Sequence, residues 1–227
     1  SSSKIIAITG SAGKTSLKEL IKDLLQDFAK TYSSPRSYNN HLGVPISLSN
    51  LSLEDKFGVF EVGMSKAGEI RKLTKLIKPE IGVITNVGEA HMENFKSING
   101  IAKAKSEIIE NIQPGGTIIL NRDDKFFSYF YNKAKKYNLR ISTFGLHKKS
   151  DIRIRKIITN RKILRIFVNL KAQNLNFEIS DLNIKNVLAS IAVLKALRLK
   201  ISEFVPKFRK LESPEGRGKN HLICRYN

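Results

Sequence analysis

The fold is decided by one stretch, Lys4-Ile-Ile-Ala-Ile-Thr-Gly-Ser-Ala-Gly-Lys-Thr-Ser16. Residues 4–9 are mostly apolar and β-forming, which is typical of a buried strand. A helical pattern begins at Lys14, after a short turn rich in glycine and serine. The stretch therefore predicts a strand, a tight turn and a helix N-terminus in direct succession.

The predicted turn is typical of a phosphate-binding loop, called the phosphate loop below (residues 10–16). Backbone N–H groups and the positive end of the helix dipole attract an anion there, Lys14 adds a charge, and the Thr15 hydroxyl suits Mg²⁺. The full pattern has a glycine five residues before Gly13, but Ile8 stands there, so the loop is a shortened variant. The alternative is an ordinary turn between a strand and a helix. The predicted nucleotide-phosphate-binding residues of the loop are Gly10, Ser11, Ala12, Gly13, Lys14, Thr15 and Ser16.

The composition is that of a globular protein. The chain has 227 residues, of which 41% are hydrophobic, enough for about one to one and a half domains. No apolar run is long enough to span a membrane, and no signal-peptide pattern precedes the first strand. The single Cys224 excludes an internal disulfide and favours a reducing compartment. We therefore expect a cytoplasmic protein without membrane insertion.

The formal net charge of +20 favours binding to nucleic acid or to an acidic partner. The basic residues are spread over most of the chain, however, with one denser stretch at 140–171, and no motif that reads RNA or DNA is present. A lysine-rich proteome or an acidic partner domain would give the same charge. We expect affinity for anionic substrates and no specific binding of nucleic acid.

Strand and helix patterns alternate along most of the chain. Strands are predicted at 4–9, 30–33, 57–62, 81–85, 117–120 and 139–144, and helices at 17–28, 68–77, 98–112 and 125–137. Several of these strands are apolar on both faces, which is typical of a parallel sheet covered by helices. The predicted fold class is therefore α/β, with a mostly parallel sheet flanked by helices.

The pattern changes at residue 151. Segments 151–158, 162–170 and 175–179 alternate apolar and polar residues, which predicts a small antiparallel β meander attached to the main sheet. Segments 182–199 and 202–211 return to helical spacing, and residues 38–45 are typical of a polar loop.

Polar residues follow the predicted strands at their carboxyl ends, where ligands of open α/β sheets bind. Glu61 ends one strand, a loop with His91 follows another, and Asn121 and Asp123 follow a third. A carboxylate at a strand end beside a phosphate loop commonly holds Mg²⁺. The alternatives are a solvated strand end for Glu61 and an exposed or structural histidine for His91.

Several ordered motifs together resemble the central ATP-binding domain of the Mur ligases, a P-loop NTPase-like fold. They are Thr9-Gly-Ser-Ala-Gly-Lys-Thr15, Tyr38-Asn-Asn-His-Leu-Gly-Val-Pro45, Glu61-Val-Gly-Met64, Gly68-Glu-Ile70, Thr85-Asn-Val-Gly-Glu-Ala-His91 and Ala102-Lys-Ala-Lys-Ser-Glu107. The likeness extends over residues 4–217. The second, third and fourth motifs are most similar to the branch of the family that adds D-alanyl-D-alanine.

The resemblance implies an ATP-dependent ligase of peptidoglycan precursor synthesis. ATP would phosphorylate the terminal carboxylate of UDP-N-acetylmuramoyl-tripeptide. The amino group of D-alanyl-D-alanine would then attack the acyl phosphate and form an amide. Because phosphoryl transfer depends mainly on positioning and charge neutralisation, cations around the γ-phosphate would carry the catalysis.

The resemblance also implies catalytic roles. Lys14 would hold the β- and γ-phosphates, and Thr15 and Glu61 would hold a first Mg²⁺. His91 would bind a second Mg²⁺. Lys105 matches a lysine that the family carries as a CO₂-derived carbamate, which helps to hold metal. Lys103 lies about 200° away around a helix, so only one of the two can face the site; two solvated lysines are the alternative.

Further binding residues follow from the same resemblance. Asn39 and Asn40 match a loop that contacts the acyl substrate. Asn183 and Asn186 match a helix start near the adenine, although Asn183 could instead cap that helix. Leu182 replaces the histidine that the family has at this helix start.

Arg217 is a phosphate-binding candidate, with Glu215 in place of the family's proline. Asn121 and Asp123 are further candidates on the nucleotide side, with a polar turn as the alternative. The implied boundaries are a central ATP-binding domain at 1–212 and, at 213–227, a linker with the start of a C-terminal domain. The N-terminal UDP-binding domain would lie outside the chain. We expect a monomer that is inactive as an isolated domain.

Two other functions remain open. A different Mur ligase, or an enzyme of the folylpolyglutamate synthase type, would share the phosphate loop and the metal residues but take another acceptor. A non-catalytic basic module that binds nucleic acid or an acidic partner would instead use the charge.

Overall fold

The computed structural model describes residues 3–89, 94–160, 163–171, 173–180 and 182–211. Within them, nine strands form one sheet: β1 (Lys4–Thr9), β2 (Thr31–Ser33), β3 (Phe57–Glu61), β4 (Ile81–Ile84), β5 (Thr117–Asn121), β6 (Arg140–Gly145), β7 (Ile152–Asn160), β8 (Ile163–Leu170) and β9 (Gln173–Ile179). The α-helices are α1 (Lys14–Leu25), α2 (Gly43–Ser49), α3 (Glu69–Ile77), α4 (Ile98–Lys105), α5 (Phe127–Lys136) and α6 (Ile184–Ala196). None of the described helices is long and apolar enough to cross a membrane.

The strand order is β2-β3-β1-β4-β5-β6-β7-β8-β9. All pairs from β2 to β7 are parallel, whereas β7, β8 and β9 pair antiparallel. The predicted meander therefore extends the main sheet at one edge. This order places β1 between β3 and β4, so the carboxyl ends of these three strands are neighbours.

Helices cover both faces of the sheet and produce two cores. Because successive strand residues point to opposite faces, Ile6 and Ile8 of β1 belong to the core beneath α1 and α6. Ile5 and Ala7 belong to the core beneath α2, α3, α4 and α5. β1 is thus covered on both faces, and the loop that follows it is held on a rigid support.

The predicted α/β class is confirmed, but three predicted segments differ. Residues 43–45, predicted as loop, begin α2; Pro45 lies in its first turn, where the missing N–H costs little. The predicted helix at 98–112 is α4 followed by a 3₁₀ helix, Ser106–Asn111.

The prediction of a helix at 202–211 was wrong. The structure has two short 3₁₀ turns, Ile201–Glu203 and Val205–Lys207. Pro206 lacks a backbone N–H, and its ring clashes with the preceding turn of an α-helix.

The two-core arrangement predicts that a Leu→Ala substitution lowers stability by different amounts at two positions. Leu188 of α6 is fully buried, whereas Leu76 of α3 is 47% exposed. We expect Leu188→Ala to lower the free energy of unfolding by about 2–5 kcal/mol because it leaves a cavity. Leu76→Ala should cost less than about 1 kcal/mol. Urea unfolding of both variants measures this, and equal losses would contradict the assignment of α6 to the core.

Candidate functional site

The candidate site lies at the carboxyl ends of β1, β3, β4 and β5, where ligands bind in open α/β sheets. β1 leads into the phosphate loop, and β3 ends at Glu61. The loop after β4 begins with Thr85 and Asn86, and β5 ends at Asn121. Parallel pairing brings these four chain segments to one edge of the sheet.

The phosphate loop is folded against the loop that follows β4. Thr85 Oγ1 donates to the carbonyl of Ala12 at 2.7 Å, and Ala12 N–H donates to Asn86 Oδ1 at 2.9 Å. A Cβ atom on Gly10, whose φ is +154°, would lie 1.9 Å from Thr85 Oγ1. Glycine is therefore required at this position, because any side chain would displace the β4 loop.

Ser11 adds a second set of contacts between the same two loops. Its backbone N–H donates to the Asn86 carbonyl at 3.0 Å. Its hydroxyl donates to the Gly88 carbonyl at 3.1 Å and accepts from the Gly88 N–H at 2.8 Å. These five hydrogen bonds join Ser11 and Ala12 to Thr85, Asn86 and Gly88 and fix the loop.

α1 begins directly after Gly13, which has a left-handed φ of +80°. No acidic residue occupies the first turn of this helix, so its positive end is not neutralised locally. Asn186 of α6 donates from Nδ2 to the Gly13 carbonyl at 3.2 Å. The helix N-terminus and its dipole therefore point at the space above the phosphate loop, as an anion site requires.

Glu61 is the central side chain of the site. Its Oε2 accepts from the Thr15 hydroxyl at 2.7 Å, and its Oε1 accepts from Asn39 Nδ2 at 2.7 Å. Lys14 Nζ lies 4.0 Å from Oε1 and donates to the Gly10 carbonyl at 2.9 Å. The carboxylate is only 1% exposed, so both of its oxygens are held in fixed directions.

This arrangement fits a magnesium ion. Mg²⁺ prefers hard oxygen ligands and is commonly held by one or two carboxylates together with substrate phosphates. Glu61 and Thr15 supply such oxygens next to the phosphate loop. No group of three or more His, Cys, Asp or Glu side chains that could hold a metal occurs in the described part of the chain.

A cavity of about 670 Å³ opens beside these residues. Five predicted site residues line it: Gly10, Lys14, Asn39, Asn40 and Lys105. Gly63, Met64, Glu69 and His41 also line it. The phosphate loop and the segments predicted to contact the acyl substrate therefore share one cavity.

The two lysines at the end of α4 have opposite environments. Lys105 is 2% exposed and lines the cavity, whereas Lys103 is exposed. Burial, reinforced by the positive charge of Lys14, lowers the pKa of Lys105 from 10.5 to about 7. A substantial fraction of this amine is therefore uncharged at neutral pH.

The two asparagines predicted to contact the substrate, Asn39 and Asn40, have different hydrogen-bond partners. The Asn39 carbonyl accepts from Gly63 N–H at 2.7 Å, and its side chain contacts Glu61. Asn40 Oδ1 accepts from the N–H groups of Leu42 and Gly43 at 3.1 and 2.9 Å, which fixes the start of α2. Both residues line the cavity, so their contact with a substrate stays a prediction.

The predicted nucleotide-side residues mostly make contacts within the protein. Asn183 caps α6, because its Oδ1 accepts from Lys185 and Asn186 N–H groups at 3.0 and 3.2 Å. Asn121 Nδ2 donates to the Thr85 carbonyl at 2.9 Å. Asp123 accepts from Leu146 N–H at 2.9 Å. Their ATP contacts stay predictions, and His91 and Arg217 lie outside the described residues.

Two carboxylates that shape the site were not predicted. Glu107 accepts from the Gly68 and Arg71 N–H groups at 2.8 and 3.1 Å, which satisfies the start of α3. Asp124 accepts from Val87 N–H at 2.7 Å and so holds the loop after β4. Glu107 is the last residue of the Ala102–Glu107 motif, but its partners are 36 or more residues away in the sequence. No local pattern could therefore assign its role.

The fold and the site define an α/β nucleotide-phosphate-binding domain. A profile of the Mur ligase middle domain matches residues 8–194. The chain therefore belongs to the Mur ligase family and contains its middle domain.

Named relatives are similar over most of the chain. The UDP-N-acetylmuramoyl-tripeptide–D-alanyl-D-alanine ligase of Buchnera aphidicola (subsp. Acyrthosiphon pisum) is 35% identical over 93% of the chain and 47% of the relative. The enzyme of that name from Rickettsia prowazekii is 31% identical over 100% of the chain and 53% of the relative. A crystal structure of MurF from Acinetobacter baumannii has a TM-score of 0.88 at 30% identity, over 94% of the chain and 47% of that structure. The chain spans about half the length of the curated relatives it matches.

Burial of Lys105 predicts a pH dependence of stability. Its pKa falls from 10.5 to about 7 on folding, so between these values the unfolded chain binds more protons than the folded one. The free energy of unfolding should therefore rise with pH across this range, by at most about 1.4 kcal/mol per pH unit. Lys105→Met should remove this rise, and Lys103→Met should retain it.

Urea unfolding in CO₂-free buffer at pH values of about 7 and about 9 measures this effect. The comparison between the two variants cancels the titration of all other groups. An equal pH dependence in both variants would contradict the burial of Lys105.

Proposed function

We propose that the protein containing this domain is an ATP-dependent ligase that joins D-alanyl-D-alanine to UDP-N-acetylmuramoyl-tripeptide. One observation carries the proposal: Gly10 and Lys14 of the phosphate loop line one cavity with the buried Lys105, and the buried Glu61 contacts Thr15 and Lys14 of the same loop. The names of the Buchnera and Rickettsia relatives support the choice of both substrates. Because the chain spans about half of these relatives, the activity is proposed for the full-length protein, with residues 1–212 as its ATP-binding domain.

The proposed reaction begins with phosphate transfer. The backbone of the phosphate loop and the Lys14 ammonium would bind the β- and γ-phosphates of ATP. Thr15 and Glu61 would hold magnesium, which when bound neutralises phosphate charge. The terminal carboxylate of the UDP-linked tripeptide would attack the γ-phosphorus, and ADP would leave. Lys14 lies 4.0 Å from Glu61, so the cation and the carboxylate proposed to hold magnesium are neighbours.

In the second step the amino group of D-alanyl-D-alanine would attack the acyl phosphate, lose a proton, and release inorganic phosphate as the amide forms. The acyl phosphate formed in the first step would have to be kept from water until the amine attacks it. The single cysteine of the sequence agrees with a reaction in the reducing cytoplasm.

Acceptor specificity tests the proposal against the other ligases that share this fold. We expect the full-length protein to release phosphate from ATP only when both UDP-N-acetylmuramoyl-tripeptide and D-alanyl-D-alanine are present. Single amino acids or glutamate with a folate should give no release. A Lys14→Ala control should lose at least about 100-fold in activity, because removal of one electrostatic stabiliser costs roughly that much.

The same assay on the 227-residue chain should show no release dependent on D-alanyl-D-alanine. Release with a single amino acid would instead place the protein in another branch of the family. Nucleic acid added near physiological salt should not bind; binding would favour the basic-module function.

We also propose that Lys105 carries a carbamate when the enzyme is active. An uncharged amine is the form that attacks CO₂, with loss of one proton to give N-carboxylysine. The burial of Lys105, and the low pKa that results, make this form available at neutral pH. The product carboxylate would supply a further hard oxygen to metal in the cavity.

Isotopically labelled bicarbonate tests the carbamate directly. We expect a carbamate carbonyl signal by carbon NMR in the unsubstituted protein and in Lys103→Ala. Lys105→Ala should lack the signal. A signal that persists in Lys105→Ala, or one that disappears only in Lys103→Ala, would contradict the assignment.

A further inference from the structure

Lys18 is a charged residue in the core that no part of the proposed reaction uses. It lies in α1, one turn after Lys14, and its side chain is fully buried. Burial of an ammonium is costly unless its donors are satisfied. Lys18 Nζ donates to the carbonyls of Ser34 and Arg36, the latter at 2.6 Å. It also lies 2.9 Å from the Glu19 carboxylate, so three acceptors match its three donors.

The two carbonyls belong to the turn that leaves β2. Arg36 has a φ of +44°, in the left-handed region. Residues other than glycine rarely adopt this conformation, because their Cβ atom then lies too close to the following carbonyl oxygen. Lys18 binds the carbonyl of this strained residue. The buried ammonium is therefore placed to offset the strain and hold the turn closed.

The turn is continuous with the residues that line the cavity. Ser34 Oγ accepts from the Glu61 N–H at 3.3 Å. Tyr38 N–H donates to the Pro35 carbonyl at 3.1 Å, and the next residue is Asn39, whose amide donates to Glu61 Oε1. The Lys18 contacts thus lie at the base of residues 34–43, while Asn39 at the other end orients the carboxylate.

We propose that Lys18 is a positioning residue. It ties residues 34–43 to the helix that begins in the phosphate loop, so that the phosphate site and the acyl-substrate side of the cavity keep a fixed separation. The proposal rests on the proposed ligase function for the identity of the substrate. Because Lys18 contacts the turn at 34–36 and not the phosphate loop in the described hydrogen bonds, its loss should affect the acyl substrate more than the nucleotide.

Steady-state kinetics of the full-length protein test this inference. We expect Lys18→Met to lower kcat/KM for the UDP-linked tripeptide about 10- to 100-fold, since a small misplacement of a positioned group has that effect. The dissociation constant for ATP should change by less than about threefold. Lys22→Met is the matched control, because Lys22 lies one turn further along α1 and is partly exposed; it should behave like the unsubstituted protein.

A second substitution separates positioning from simple loss of stability. Glycine adopts a positive φ without strain. The double variant Lys18→Met/Arg36→Gly should therefore have a kcat/KM at least about threefold higher than that of Lys18→Met. Arg36→Val alone, which raises the strain at the exposed end of the turn, should lower kcat/KM in the same direction. If Lys18→Met does not fold, the Arg36→Val variant still tests whether the turn positions the acyl substrate.

Hydrogen exchange gives a readout independent of the reaction. Amides of residues 36–43 should exchange faster in Lys18→Met, with residues 10–16 unchanged. Equal losses of ATP and tripeptide affinity, unchanged exchange at 36–43, or no recovery with Arg36→Gly would overturn the inference. Inactivity of the unsubstituted protein with D-alanyl-D-alanine would overturn the proposed function instead, and the exchange result would still decide the role of Lys18.

Discussion

The site depends on the two hydrogen bonds of one carboxylate. Glu61 ends a central strand, is almost completely buried, and accepts at 2.7 Å from Thr15 on one side and Asn39 on the other. A buried carboxylate must be paired or hydrogen-bonded to be tolerated. Its requirement for donors therefore fixes the start of α1 and residues 37–43 relative to each other. The phosphate loop and the two asparagines predicted to contact the acyl substrate belong to these two segments.

Charge is arranged unevenly around this carboxylate. Lys14, Lys18 and Lys105 approach the same end of the sheet, and the three donors of Lys18 are matched by three protein acceptors. Burial, together with the positive charge of Lys14, lowers the pKa of Lys105. Lys18 therefore has the environment of a structural cation, whereas Lys105 has the environment of a reactive amine. The total charge of +20 belongs mostly to other parts of the chain and says little about this site.

The sequence predicted the local parts of this arrangement and missed the distant ones. The strand, turn and helix of the phosphate loop are encoded within residues 4–16, and the Asn183 cap lies beside its own helix. The contact of Thr85 with Ala12 joins residues 73 positions apart, so no spacing rule reveals it. Helical geometry showed that Lys103 and Lys105 face opposite ways. Only the packing of α4 against the core decides which of them is buried.

The proposed roles also separate phosphate transfer from recognition of the acyl substrate. The phosphate loop, Thr15 and Glu61 meet needs common to any ligase that transfers the γ-phosphate to a carboxylate, so they cannot distinguish one substrate from another. Residues 39–41, with Met64 and Glu69, line the cavity proposed to hold the acyl substrate. The first residues of this segment are anchored by Lys18 and the later ones by Glu61. Substitutions in the cavity wall can therefore change which acyl substrate binds without moving the phosphate loop. The two sites share the Glu61 carboxylate but are formed by different loops.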